Sequence, residues 1–224
     1  MKVLAKQIKS DFYTMLWDST KLILIIPVMF FLIMIADGEV WNPRSFLTMV
    51  LLLAIPSGMI SMAATRLTST FQTALSMGST RRAFYISNLI MFAVTSVFVT
   101  IMPLVITGLI TLPFMPQVGK EIFSLVLSLP LLGIALCMDT LAVGVGTLMG
   151  GLVNRFGRKV FVIMVIILIL LGGVCGGLIA MFAINGSEFL ISNQVIAIAS
   201  VSAFVVGLIL YGFGWKTVKK YYVS

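Results

Sequence analysis

From Tyr85 to Phe114 the chain holds no Asp, Glu, Lys or Arg, and that one stretch excludes most ways of folding in water. A helix crossing a bilayer needs about 20 predominantly apolar residues, and this run supplies them with room to spare. Five more runs of the same character surround it, at Leu22–Ala36, Phe46–Ala64, Ile122–Val153, Val160–Ile184 and Val195–Phe213. In lipid each backbone polar group must be satisfied within its own segment, so such runs form helices. The fold expected is an all-α membrane protein with six transmembrane helices, residues 1–224 forming a single transmembrane domain. Composition agrees: 60% of residues are hydrophobic and 10% charged, against about 45–50% and about 25% in soluble domains.

Prolines and polar turns mark where these helices bend or stop. Pro56 and Gly58 mildly interrupt the second span, Pro103 kinks the third, and the long fourth segment tilts or breaks near Pro130. Leu22–Ala36 is short, so the first span borrows from Trp17–Lys21 or tilts little. Met115–Glu121 reads as a short external turn, as do Asp37–Pro43 and the stretch 185–194.

Charge then orients the spans. The net charge of +8 suggests nucleic acid at first, but the basic residues form no single patch. They cluster at one set of span ends: near the N-terminus, at Arg66, Arg81 and Arg82, in Asn154–Lys159, and in the tail at Lys216, Lys219 and Lys220. Of the 15 basic residues only Arg44 and Lys120 fall on the other side, beside Asp37, Glu39, Glu121 and Glu188. By the positive-inside rule both termini are cytoplasmic. Residues 1–21 place Leu4, Ile8, Phe12, Met15 and Leu16 on one face, with Tyr13 and Trp17 at headgroup depth. They read as an interfacial elbow helix retained in the protein; a signal peptide is the rival, but its apolar run would start late and lacks a small-residue cleavage site.

The polar interruption between the second and third spans carries the most information. In "RLTSTFQTALSMGSTRRAFYISN", Leu67, Phe71, Ala74 and Leu75 recur at helical spacing among Thr68, Ser69, Gln72 and Thr73. Gly78 offers a left-handed stop, and Ser79 or Thr80 can cap the next helix. The expectation is a short amphipathic helix along the membrane surface, handing over through a tight turn marked by Arg81 and Arg82. Such a helix before "ALSMGSTRRAFYISNLI", between the second and third of six spans, resembles the permease subunits of ABC-2 type exporters. The resemblance covers the whole chain in topology but only this loop in local motif. It implies that residues 66–82 are a cytoplasmic coupling loop docking into a separate ATP-hydrolysing subunit. On that basis Leu67, Phe71, Gln72, Leu75 and Met77 would make the contact, with Gly78, Arg81 and Arg82 at the hinge. The ordinary alternative is an interfacial loop with capping residues.

Within the spans, Asp139 is the one deeply placed acid, on a small-residue stripe with Ala135, Ala142, Gly146 and Gly150. A charge there costs about 2.5–3.5 kcal/mol on insertion scales, so it faces protein or water rather than lipid. It contacts a cationic substrate or proton, or it holds helices together; both readings stand. In the fifth span Gly172, Gly173, Gly176 and Gly177 form two overlapping Gly-x-x-x-Gly pairs that suit close packing, a subunit interface or a hinge.

What is missing narrows the function further. There is no His, which removes most zinc sites and His-based acid–base catalysis. Cys137 and Cys175 both sit in apolar runs, unlike a disulfide framework. No phosphate-binding loop, HExxH or intramembrane carboxylate pair occurs, so neither an enzyme nor an ATP site is expected, and no metal or cofactor in this chain. ATP and Mg would belong to the partner ATPase that the resemblance implies. The other partners expected are a second permease subunit, in a homodimer or heterodimer, and membrane lipids, with no nucleic acid. The resulting expectation is a multi-pass permease of the bacterial cytoplasmic membrane, exporting an amphiphile such as an antimicrobial peptide, drug or lipid. The alternative is an ATP-independent channel or secondary carrier.

Overall fold

The computed structural model describes residues 13, 17, 20–21, 23–29, 32, 47, 50–76, 78, 80–157, 159, 162–163, 166 and 193–221. Most of the elbow helix, the external turns at 37–43 and 185–192, the Gly172–Gly177 cluster and most of the fifth span lie outside the described residues. Among those described, every regular element is helical. Four helices are long and apolar enough to cross a membrane: α1 (Val50–Ser76), α2 (Arg81–Thr111), α4 (Leu129–Phe156) and α5 (Asn193–Tyr221) through its Ser200–Thr217 stretch. A short helix, α3 (Pro116–Val126), joins α2 to α4. The length and composition of the four long helices are consistent with a membrane protein. The outer faces of the bundle carry bare aliphatic and aromatic side chains such as Val94, Leu109, Val201 and Ile209, as a lipid-facing surface does.

Helix α1 begins with a π-helical stretch, Val50–Ala54, immediately before Pro56. Proline lacks an N–H and its ring crowds the preceding turn, so a widened turn lets the helix continue past it. A second π stretch, Arg66–Thr70, lies where the sequence turns polar. There the Ser69 hydroxyl donates to the Thr65 carbonyl at 2.8 Å and that of Thr68 to the Ala64 carbonyl at 3.1 Å. These internal bonds satisfy the polar side chains without turning the chain onto the membrane surface. The separate surface helix expected around Leu67–Met77 is therefore replaced, through Ser76, by a direct extension of α1, because nothing between Ala64 and Ser76 breaks a helix.

The chain reverses at Gly78, whose φ of +81° is the left-handed conformation expected there, with its N–H bonded to the Leu75 carbonyl at 3.0 Å. Thr80 then caps α2, its hydroxyl accepting from the Ala83 N–H at 3.2 Å. Pro103 is carried inside α2, with the Thr107 hydroxyl donating to its carbonyl at 2.6 Å.

Beyond α2 the structure corrects a boundary. Of Met115–Glu121, expected as a turn, all but Met115 belongs to the first part of α3, with Pro116 in its opening positions. Gly119, Ile122 and Leu125 bury one side of α3 while Lys120, Glu121 and Ser124 stay exposed. Gly119 lies so close to α2 that a Cβ there would sit 2.8 Å from the Leu112 Cα. The long fourth segment does break near Pro130, which lies in the first turn of α4.

Packing centres on α4. Gly146 and Gly150 bring it against Ile60, Ala63, Ala64 and Leu67 of α1, so the small-residue stripe does admit a close neighbour. A different glycine set joins α4 to α5. A Cβ on Gly207 would lie 2.6 Å from the Thr140 carbonyl oxygen, one on Gly214 2.9 Å from that of Thr147, and Gly144 abuts the Gly207 backbone. Residue numbers rise together along both contacts, so α1, α4 and α5 run parallel. Helix α2 runs against them, pairing Ser96 with Asp139, and Asn88 with Arg66.

Candidate functional site

Two places in this bundle carry chemistry: the hairpin joining α1 to α2, and the buried acid of α4. The hairpin is built from the inside out. Leu67 and Phe71 are fully buried, and the Phe71 ring meets Phe84 of α2 edge-on at a centroid distance of 5.1 Å. Ala74 is buried too, and Leu75 is half-buried against the same core. Behind them Arg66 Nε donates to Asn88 Oδ1 at 2.9 Å, and Asn154 Nδ2 donates to the Leu67 carbonyl at 2.7 Å. These bonds tie α1, α2 and α4 together at one end. Gln72, Ser76, Gly78, Thr80 and Arg82 are exposed at the tip, and Arg81 is half-buried.

The residues singled out from the sequence thus divide. Leu67 and Phe71 face inward and fix the hairpin; in this arrangement their side chains are covered by the chain itself. Gln72, Gly78 and Arg82 face outward. Met77 lies outside the described residues, as do Gly172 and Gly176. The sequence could not separate these roles, because a helical apolar face has the same spacing whether it meets a partner, the membrane surface or its own chain.

Asp139 is fully buried, in the middle of α4. Its Oδ2 accepts from the Ser96 hydroxyl at 2.7 Å. The Thr100 hydroxyl lies 3.1 Å from the same oxygen and 2.7 Å from the Ser96 carbonyl, so its single proton is shared. Oδ1 is buried and makes no hydrogen bond. Beside the acid is a crevice of about 180 Å³ between α2, α4 and α5, lined by Leu89, Phe92, Ser96, Asp139, Phe204 and Tyr211 among others. The acid reads directly from the sequence, but its two hydroxyl partners were missed. Their signal is Ser96 and Thr100 one helical turn apart, on one face of an otherwise apolar span.

A third polar contact links α2 to α5 between these two places. The Tyr85 hydroxyl donates to the Tyr211 carbonyl at 2.8 Å, and the Tyr211 hydroxyl donates to the Tyr85 carbonyl at 2.9 Å. Trp215 stacks beside them, its ring centroid 4.3 Å from that of Tyr85. No group of His, Cys, Asp and Glu capable of holding a metal occurs among the described residues. No family model, curated protein or solved structure matches the chain.

Proposed function

We propose that this chain is the membrane-spanning permease subunit of an ATP-driven exporter of the ABC-2 type, working with a separate cytosolic ATPase and a second permease subunit. The observation that carries the reading is the α1–Gly78–α2 hairpin: a root locked by Phe71 and Phe84 beneath a polar, exposed tip. A helix pair of that kind passes on a push at its tip to the bundle as one body, because close-packed interiors deform little. The docking role moves accordingly to Gln72 and Arg82, with Leu67 and Phe71 positioning them. Arg66, Arg81, Arg82, Arg155 and Lys216 gather at this end, and Lys120 and Glu121 of α3 lie at the other, which supports a cytoplasmic hairpin. The parallel run of α4 and α5 supports a further crossing between them, as a six-span chain requires. Placement in a bacterial cytoplasmic membrane and an amphiphilic cargo belong to the same proposal.

The test is capture from the native membrane. Gln72→Cys carrying a short cross-linker, followed by mild-detergent purification and mass spectrometry, is expected to recover an ATP-binding cassette ATPase in stoichiometric amount. Recovery of no ATPase from position 72 or position 82 would sink the proposal. Phe71→Asp is a poor probe of docking, because it places a carboxylate inside the hairpin root and is expected to unseat it. One observation favours an ATP-independent carrier as a second reading: Asp139 is a buried acid beside a crevice at mid-span. That reading expects transport that follows an ion or proton gradient with no ATPase present.

A further inference from the structure

The crevice at Asp139 plays no part in the hairpin, and three of its features point to one kind of ligand. First, Asp139 is among the lining residues and its Oδ1, wholly buried, makes no hydrogen bond, so an acceptor without a donor lies beside the crevice. Such an atom forgoes stabilisation until a donor arrives. Second, apart from Ser96 and Thr140 the remaining lining is mostly apolar and includes the aromatic side chains of Phe92, Phe204 and Tyr211. Aromatic faces favour cations over neutral groups of equal size. Third, Leu89, Phe204 and Leu208 are part of the lining and are also exposed on the outer face of the bundle. Among the described residues the crevice therefore opens sideways between α2 and α5, on the outer face.

We propose that this crevice binds a monovalent organic ammonium, a protonated amine on a compact apolar body, entering from the bilayer and pairing its N–H with Asp139 Oδ1. Other occupants fit less well. A bound metal cation needs several oxygen ligands, while the two nearest hydroxyls, Ser96 and Thr100, are turned toward Asp139 as donors. A neutral alcohol supplies one hydrogen bond but leaves an acid in an apolar wall without a countercharge. The volume of about 180 Å³ is below the ~300–1,000 Å³ of ordinary small-molecule pockets, which calls for a compact body rather than a long chain. An amine that arrives neutral takes the proton of a neutral Asp139 and gives the same ion pair.

The inference concerns this chain alone and does not rest on the exporter reading. It is tested with the full chain in lipid nanodiscs, titrated with 1-aminoadamantane and with its neutral isostere 1-adamantanol. The amine is expected to bind saturably, with one site per chain, about tenfold or more tighter than the alcohol. Asp139→Asn is expected to erase that preference while leaving the alcohol unchanged within about twofold. Val143→Trp, which fills the crevice with the acid intact, is expected to remove saturable binding of both. Equal, non-saturating uptake of amine and alcohol by the wild-type chain would overturn the proposal, as would an undiminished amine preference in a folded Asp139→Asn. If that variant does not fold, the amine–alcohol comparison on the wild-type chain decides alone.

Discussion

Helix α4 meets two of its neighbours, α5 and α2, in opposite ways. Toward α5 it presents Gly144 and Gly151, and α5 answers with Gly207 and Gly214, so the two backbones nearly touch. Toward α2 it presents Asp139, bonded through one oxygen to two hydroxyls, with a crevice alongside. In lipid no hydrophobic gain draws helices together; dispersion over close backbones does it on one flank and hydrogen bonds on the other. The glycine seam sets backbone against backbone, and only at one edge, at Thr140 and Gly207, does it border the crevice. The acid flank is held at points, and between those points there is space. One helix thus carries both the closest backbone joint of the bundle and a buried acid beside a crevice.

The largest expected effect breaks the seam. Gly207→Leu drives a side chain into the α4 backbone at Thr140 and Leu141, and is expected to cost about 3 kcal/mol or more. Reversible unfolding in mixed micelles would show it as a lower folded fraction. Gly212, on the same helix, faces open space: a Cβ there would meet nothing within 4 Å. Gly212→Ala is expected to stabilise by about 0.5–1 kcal/mol, through helix propensity alone. Equal effects at the two glycines would deny the seam its special role. On the other flank, Ser96→Ala removes the shortest bond to Asp139, and is expected to cost about 1–2 kcal/mol, near the upper range for polar contacts between membrane helices. Ser96→Thr, which keeps the hydroxyl, should recover most of it. A Ser96→Ala cost as large as that of Gly207→Leu would mean that the acid flank is the rigid one.

How far the sequence disclosed these features follows from what each depends on. Apolar runs, the Gly78 stop and the Thr80 cap are local properties, and they appear where the residues indicate. Asp139 stands out because any acid in such a run does. The hydroxyls that receive it lie on another helix, and only the folded bundle shows which turn of α2 faces which turn of α4. The Gly144, Gly151, Gly207 and Gly214 seam was missed for a similar reason: each pair is seven residues apart, and the match between two helices is visible only when they are compared. Leu67 and Phe71 are instructive in the other direction. Their spacing shows an apolar face, but the face is covered by Phe84 of the same chain, a fact of tertiary packing. The extension of α1 through 66–76 passes through a π stretch, Arg66–Thr70, with Thr68 and Ser69 bonded to carbonyls one turn back, and no periodicity rule carries that information.

The smallest expected effect bears on where the two flanks meet. Tyr85 and Tyr211 close the gap between α2 and α5 with two hydrogen bonds running in opposite directions, and Tyr211 also lines the crevice. Each hydroxyl donates to the other residue's main-chain carbonyl, so neither bond needs the other's hydroxyl. Tyr85→Phe and Tyr211→Phe should therefore each cost about 0.6 kcal/mol, a typical value between membrane helices. Their rings, 4.7 Å apart, would still pack. The double variant should then cost the sum, within about 0.3–0.5 kcal/mol. A coupling clearly above that would show that the two bonds form as a unit, making the pair a clasp that opens all at once. In that case the crevice would widen in steps rather than breathe, and the contrast between a closed seam and a loose flank would become one between a fixed joint and a latch.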